Sequence, residues 1–275
     1  MTLEDKVAFI TGVARGQGRS HAVRLANEGA DIIGIDICAD IPSNNYSLAT
    51  RDDLDETRAL VEKTGRQMVA TIADVRDYVA VRDSLEAGVR ALGRLDIVSA
   101  NAGIAPMTVT RTTVEEDLEH WADVVAVNLT GAFYTAKASI PHLIAGGRGG
   151  SIIFTSSTAG LRGFAGETGS LLGYSASKHG LVGLMHSLAN YLAPHQIRVN
   201  TIHPTGVRTK MVLNEVMLDW LEKHPGGSSH LENPMPVDML EPEDVSATVA
   251  FLASDAAKWI TGVALPVDAG FTNKL

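Results

Sequence analysis

The sequence predicts an α/β protein built on a doubly wound, seven-stranded parallel sheet with helices on both faces, and three observations carry that expectation. Short continuous apolar runs, the pattern of strands buried on both faces, alternate with segments whose apolar residues recur at helical spacing. The first run passes through a glycine-rich turn straight into a helix. Polar side chains able to do chemistry gather just past the ends of later runs, at the carboxyl edge where open parallel sheets bind ligands. With 275 residues and no linker-like stretch, residues 1–275 are expected to form one domain.

The first strand is Val7-Ala8-Phe9-Ile10. It runs into Thr11-Gly12-Val13-Ala14-Arg15-Gly16-Gln17-Gly18, after which His21, Ala22, Leu25 and Ala26 mark a helix that Gly29 closes. Glycines let the backbone approach a pyrophosphate closely, and the helix start offers free N–H groups and a positive dipole end. The second strand, Asp31 to Asp36, ends in a carboxylate about twenty residues past the glycines, where it can accept both ribose hydroxyls of NAD and repel the extra phosphate of NADP. Arg15 pulls the other way, since a cation in the glycine turn can pair with that phosphate. Asp36 is the better placed discriminator, so the cofactor expected is NAD.

Thr50-Arg51-Asp52-Asp53 reads as a capping-box helix start, with Leu54, Thr57, Leu60 and Val61 on one face and Gly65 as the stop. The connection before it, 37–49, is therefore thirteen residues long, whereas βα loops usually run about 2–6. Its Ile37, Ile41, Tyr46 and Leu48 can either pack over a bound dinucleotide or form a surface excursion. A third strand, Gln67 to Ile72, leads to Asp74-Val75; Asp74 can bond an adenine amino group or, with Asp77, cap the helix that follows. Leu95 to Val98 is the fourth strand and breaks at Asn101-Ala102-Gly103. The next helix carries Trp121, Val124, Val125 and Val127, with Asn128 among them, a residue suited to bonding backbone and to holding a water. Ser151 to Thr155 is the fifth strand and delivers Ser156 and Ser157 to the ligand edge.

A sixth strand, Ile197 to Ile202, precedes His203-Pro204-Thr205-Gly206-Val207-Arg208-Thr209. Residues 208–237 mix apolar positions (Met211, Val212, Met217, Leu218, Leu221) with a glycine-serine stretch at 225–229, the composition of a lid over a substrate. A helix from Pro242 to Leu252 and a strand from Val263 to Val267 complete the sheet.

Composition narrows the partner. Lys and Arg number 23 against 32 Asp and Glu, a net charge of −9, which disfavours nucleic acid and anionic membranes and leaves a small molecule. The first residues are acidic where a leader would be basic, and no apolar run approaches the about 18 residues of a membrane span. The single cysteine, Cys38, can form no internal disulfide and reads as a small buried apolar residue in a cytoplasmic protein. None of the nine histidines belongs to a metal-ligand spacing, so no metal is expected.

The chemistry is concentrated in Gly173-Tyr174-Ser175-Ala176-Ser177-Lys178. Tyr174 and Lys178 stand four apart on a helix continued by Leu181, Leu184, Met185, Leu188 and Leu192, so they share a face. A free phenol, with a pKa of about 10, is a poor proton carrier near neutrality. A lysine cation beside it favours the phenolate and lets it trade a proton with a carbinol oxygen.

Thr11-Gly12-x-x-x-Gly16-x-Gly18, Asn101-Ala102-Gly103, Ser157, Tyr174-x-x-x-Lys178 and Pro204-x-Gly206-x-x-Thr209 together resemble the short-chain dehydrogenase/reductase family, over essentially the whole chain and with a Rossmann-type fold. The resemblance implies that Tyr174 is the acid/base and that Ser157 orients the substrate oxygen, with Ser156 a minor rival. It implies that Lys178 lowers the tyrosine pKa and holds the nicotinamide ribose, and that Asn128 positions a water in a proton relay. Cofactor contacts are implied for Gly12, Arg15, Gly16, Gln17, Gly18, Asp36, Ile37, Asp74, Val75, Asn101, Ala102, Gly103, Tyr174, Lys178, Pro204 and Gly206, with Val207 and Thr209 at the carboxamide. A homotetramer built on the Tyr174 helix is implied as well. Asp36-Ile37-Cys38-Ala39, the 37–49 insertion and Val69 to Asp77 are similar to the carveol-dehydrogenase-like, mycofactocin-associated branch, in which the insertion is held to trap NAD for recycling in place by a redox peptide or another external acceptor.

The reading is an NAD-dependent oxidoreductase that moves a hydride between nicotinamide and a secondary alcohol or ketone. The apolar lid residues, with Leu161 and Phe164, point to an apolar alicyclic or terpenoid alcohol. Two alternatives stand beside it: an NADP-linked carbonyl reductase, favoured by Arg15, and a non-catalytic dinucleotide-binding redox sensor, which has no use for Ser157, Tyr174 and Lys178.

Overall fold

A computed structural model describes residues 3–106, 113–164, 166–223 and 232–274, with the backbone alone at 220 and 221. Two parts of the expected lid, the Leu221 side chain and 225–229, thus lie outside what is described. Seven strands pair in parallel in the order β3-β2-β1-β4-β5-β6-β7. They are β1 (Val7–Thr11), β2 (Asp31–Asp36), β3 (Met68–Ile72), β4 (Ile97–Ala100), β5 (Gly150–Thr155), β6 (Ile197–Pro204) and β7 (Ala264–Val267). Strand order reverses between β1 and β4, which opens a crevice at their carboxyl ends.

Helices cover both faces, as the near-continuous apolar strands require. On one side α1 (Gly16–Asn27), α2 (Arg51–Glu62) and α8 (Pro242–Ala253) close a core around Ile10, Leu25, Ile32, Leu54 and Val249. On the other, α3 (Tyr78–Leu92), α4 (Val114–Val125), α5 (Gly131–Gly146) and α6 (Gly169–Leu192) pack on Phe9, Ile33, Val98 and Phe154. A short α7 (Glu215–Lys223) lies in the segment expected to form a lid. Among the described residues, no helix is long and apolar enough to cross a membrane.

Helix starts divide into two kinds. Thr50, Asp77, Thr113 and Thr168 each use a side chain to accept first-turn N–H groups of α2, α3, α4 and α6. The start of α1 has no such acceptor and no acidic residue in its first turn. Its N–H groups therefore remain for an anion.

Several boundaries differ from the sequence reading; β6, for one, runs two residues past Ile202, to Pro204. β4 runs two residues later than Leu95 to Val98, because Leu95 is buried ahead of the strand while the small Ser99 and Ala100 continue it. Helix α6 starts at Gly169, capped by Thr168, which puts Tyr174 in its second turn. Asn128 lies in a π-helical turn, Ala126–Thr130, between α4 and α5; such turns are often found at functional sites.

Candidate active site

The crevice at the strand switch is a cavity of about 380 Å³. Its floor is the glycine turn, where Gly12 and Gly16 take positive φ of 66° and 55°. A Cβ on Gly12 would come 2.8 Å from the Ala102 Cα, so only glycine lets β1 and β4 end this close together. Of the residues expected to hold a cofactor, Gly12, Arg15, Gly16, Gln17, Gly18, Asp36, Ile37, Asp74, Val75, Asn101, Ala102, Gly103 and Thr209 line this cavity. Pro204, Gly206, Val207, Tyr174 and Lys178 do not; Pro204 ends β6, and Val207 forms a parallel bridge with Leu240 two residues before Thr209.

Asp36 is buried, its carboxylate accepting from the Ala14 N–H at 3.0 Å and the Cys38 N–H at 3.3 Å. Burial pushes its pKa up, and those N–H groups and Arg15 pull it back. Asp74 is gripped by Arg76, through its N–H at 2.8 Å and its Nε at 2.9 Å, while Asp77 alone caps α3. Arg15 donates through Nη2 to the Ser47 carbonyl at 2.6 Å, and its Nη1, like the Gln17 Oε1, is buried with no partner. Two orphaned polar atoms on one cleft wall, beside an uncapped helix start, fit the polar groups of a dinucleotide. Burial, aided by Asp36, pushes the Cys38 thiol up to about 11, which leaves it unreactive at neutral pH.

The 37–49 loop is bound to both walls. Besides the bond from Arg15, the Tyr46 hydroxyl accepts from the Ala105 N–H at 3.2 Å, just beyond β4, and Ser43 donates to Asp123 of α4 at 2.6 Å. Asp123 also pairs with Arg76 at 2.8 Å, so loop, adenine-side wall and α4 form one polar chain. Ile41, Tyr46 and Leu48 line the cavity.

The remaining predicted residues, Asn128, Ser157, Tyr174 and Lys178, do not line the cavity; Asn128 and Lys178 approach it at Gly103. Thr11 Oγ1 accepts from both the Asn101 and Ala102 N–H groups at 3.1 Å, and the Asn101 side chain donates to the Thr11 carbonyl at 3.1 Å. Lys178 is buried and donates to the Thr155 carbonyl at 2.8 Å; in return the Ser156 hydroxyl donates to the Lys178 carbonyl at 2.9 Å. Ser156 is thus spent on structure, and Ser157 is the serine presented to the site. The Ser157 Oγ accepts from the Ala159 N–H at 3.1 Å, and its hydroxyl lies near enough to the Tyr174 phenol to pull the phenol's pKa down. The Lys178 Nζ lies 5.4 Å from the Tyr174 ring centroid.

One electrostatic expectation changes sign. A lysine beside a phenol lowers its pKa when both face water, but here burial is larger and pushes Tyr174 above its ordinary value, with the Ser157 hydroxyl pulling it back. The same burial pushes Lys178 down to about 8. Asn128 bonds Ile104 on both sides, accepting its N–H at 2.8 Å and donating to its carbonyl at 2.9 Å. A methyl group built on Gly103 would sit 3.3 Å from the Asn128 Oδ1 and 3.6 Å from the Lys178 Nζ, so both face the space in front of Gly103.

Residues 12–272 match the family model described as enoyl-(acyl carrier protein) reductase. The (−)-trans-carveol dehydrogenase of Rhodococcus erythropolis is 47% identical over 280 residues, 99% of each chain. The chain belongs to the short-chain dehydrogenase/reductase family. Within that family a crystal structure of carveol dehydrogenase from Mycobacterium avium, in complex with NAD, superposes with a TM-score of 0.90 at 44% identity over the whole of both chains. A cyclohexanol dehydrogenase of Acinetobacter sp. is 33% identical over 98% of this chain and 96% of its own.

The family's motifs miss several residues that the fold brings to the cleft: Ile104, Val127, Arg208 and Lys210. Arg208 and Lys210 flank the expected Thr209, and their charge in an acidic chain was the available signal. Of the apolar residues expected in the lid, Met211 lines the cavity, whereas Val212, Met217 and Leu218 are not among its lining residues. Leu161 and Phe164 are not among its lining residues; Phe164 stacks on Phe271 instead, with centroids 6.1 Å apart.

Proposed function

We propose that this protein is an NAD-dependent alcohol dehydrogenase that oxidises an apolar alicyclic secondary alcohol, or reduces the corresponding ketone. The observation that carries the reading is the Ser157–Tyr174–Lys178 set beside a cleft floored by the glycine turn, Lys178 facing the space in front of cleft residue Gly103. Bound NAD supplies the hydride acceptor. Uncapped N–H groups of α1 and the Arg15 Nη1 would hold its phosphates, Asp36 its adenosine ribose, and Thr209 the nicotinamide end.

Ser157 and Tyr174 bracket the substrate oxygen. The Ser157 oxygen already accepts from the Ala159 N–H, which leaves its proton to donate. Tyr174 takes the carbinol proton as the oxygen becomes a carbonyl, and the buried ammonium of Lys178 stabilises the negative charge that passes between them. Asn128 and Lys178 share one small space in front of Gly103, which suits the relay water assigned to Asn128. The Rhodococcus relative's name, carveol dehydrogenase, and the Acinetobacter relative's, cyclohexanol dehydrogenase, support a cyclic alcohol as substrate.

The loop at 37–49 is fastened across the cleft, which supports a cofactor that exchanges slowly and is reoxidised in place by a redox peptide or another external acceptor. Leu118 and Trp121 on α4 and Leu172 on α6 are large apolar side chains left exposed, which supports a homotetramer built on these helices. One cysteine and no disulfide suit the cytoplasm. An NADP-linked reductase is the weaker reading, because the Asp36 carboxylate lines the cleft and would repel the extra phosphate.

The test is to dialyse the purified protein, denature it and assay the released nucleotide, then offer the native protein a cyclic secondary alcohol with and without a dye acceptor. Stoichiometric NAD with dye-dependent turnover is expected. Absence of alcohol oxidation under either condition would sink the reading.

A further inference from the structure

His203 is fully buried at the end of β6, and both ring nitrogens are engaged. Nδ1 lies 2.8 Å from the Ser157 carbonyl oxygen, and Nε2 lies 2.7 Å from the Thr201 hydroxyl. A carbonyl can only accept, so Nδ1 carries the hydrogen. In the neutral ring Nε2 is then bare and takes the Thr201 proton. Burial holds the imidazolium below its ordinary range, and nearby Lys178 adds to that, which keeps the ring in this single neutral tautomer.

The consequence falls on Ser157. Its carbonyl already accepts from the Gly160 N–H at 2.8 Å, so the His203 bond fills the second lone pair. Its side-chain oxygen is held by the Ala159 N–H. The turn that follows is wedged against α6: a Cβ on Gly160 would come 2.6 Å from the Lys178 carbonyl. With peptide and side-chain oxygen both held, the Ser157 Oγ keeps a fixed position beside Tyr174.

We infer that His203 is a positioning residue for the reaction: its Nδ1–H fixes the Ser157 peptide and so aims the Ser157 hydroxyl at the point where Tyr174 and the substrate oxygen meet. This inference rests on the dehydrogenase reading above. None of the family's motif positions includes it, and in the sequence His203 is one histidine among nine.

The geometry makes the substitutions unequal. An asparagine places its Nδ2–H where Nδ1–H stands, whereas a glutamine reaches toward the Nε2 position and a leucine offers no donor. His203→Leu and His203→Gln are expected to lose about 10- to 100-fold in kcat with a cyclic alcohol, since a misaimed reacting group costs about that much. Nucleotide content and Tm should stay close to those of the parent. His203→Asn is expected to recover most of the lost kcat. Imidazole nitrogen NMR of the unaltered protein, with the His203 signals assigned by their loss in His203→Asn, should show Nδ1 protonated and Nε2 bare.

Equal kcat in the parent and a folded His203→Gln would overturn the inference, as would an asparagine variant no better than the glutamine one. The opposite tautomer would overturn it too. If His203→Leu does not fold, the asparagine–glutamine pair and the NMR measurement still decide. Failure of the parent reading is separate: it shows as full alcohol turnover by Tyr174→Phe, whatever the His203 variants do.

Discussion

Two covers meet over the same sheet edge, and they are fastened differently. The 37–49 loop is bonded to Arg15 on one wall of the cleft and to Ala105 and Asp123 on the other. The described bonds of the 208–237 segment run to its own base and to the end of the chain: Arg208 to Leu240 and Glu241, Asn233 to Thr205, Met235 to Ala269. One cover is bolted across an opening and the other, among the described residues, is fastened at one side as a hinged cover would be. On the reading proposed above, the dinucleotide half of the site keeps its occupant and the substrate half exchanges it.

The largest test of that contrast separates chemistry from retention. Tyr174→Phe removes the proton carrier and should lower alcohol oxidation about 10³-fold while retained NAD, measured after denaturation, stays unchanged. Loss of nucleotide in that variant would mean the two halves are not independent. Next in size is unbolting the loop: Ser43→Ala with Tyr46→Phe removes the bond to Asp123 and loosens the contact at Ala105. At about 1 kcal/mol for a typical bond, NAD release followed by stopped-flow fluorescence should quicken about 10-fold. An unchanged rate would make the loop a surface excursion.

Asp36→Ala acts on the same half and should tighten NADP binding, read by titration, on the order of 10-fold by removing a negative charge near the extra phosphate. Met211→Ala acts on the hinged cover, and a KM raised about 5-fold for a cyclic alcohol with NAD retention unchanged is expected from the lost apolar contact. The smallest effect lies outside both covers. Lys178 titrates near 8 in the fold against 10.5 in the open chain, so the unfolded state binds the extra proton between those values and stability from this group rises with pH across that window. Thermal melts of the parent and Lys178→Met at several pH values between about 7 and 10 should show the parent gaining on the variant; a constant gap would refute the burial argument.

Local chemistry made much of this legible. The strand, glycine turn and helix at Val7–Asn27 follow from apolar continuity, glycine and spacing, and the structure builds them at those residues. The capping box at Thr50 and Asp53 is as local, and it forms as expected. What escaped depends on residues far apart in the chain. Nothing near Asp123 marks it as the partner of Ser43, 80 positions away, nor Ser157 as the partner of His203, 46 positions away. The family resemblance favours Ser157 over Ser156, but only the fold gives the reason, by turning Ser156 toward the Lys178 carbonyl. The rise in the Tyr174 pKa was hidden for a related reason, since a pair read from helix spacing carries no information about how deeply the fold buries it.

The exchange of bonds between Thr155, Ser156 and Lys178 has a consequence for how such an enzyme changes over generations. Because Lys178 and Ser156 hold strand end and helix together by donating to backbone carbonyls, that grip does not depend on the side chains of the 208–237 segment. Substitutions in the hinged cover can then redraw which alcohols are accepted without disturbing the unit that oxidises them. Selection can explore new substrates here while the chemistry is inherited intact.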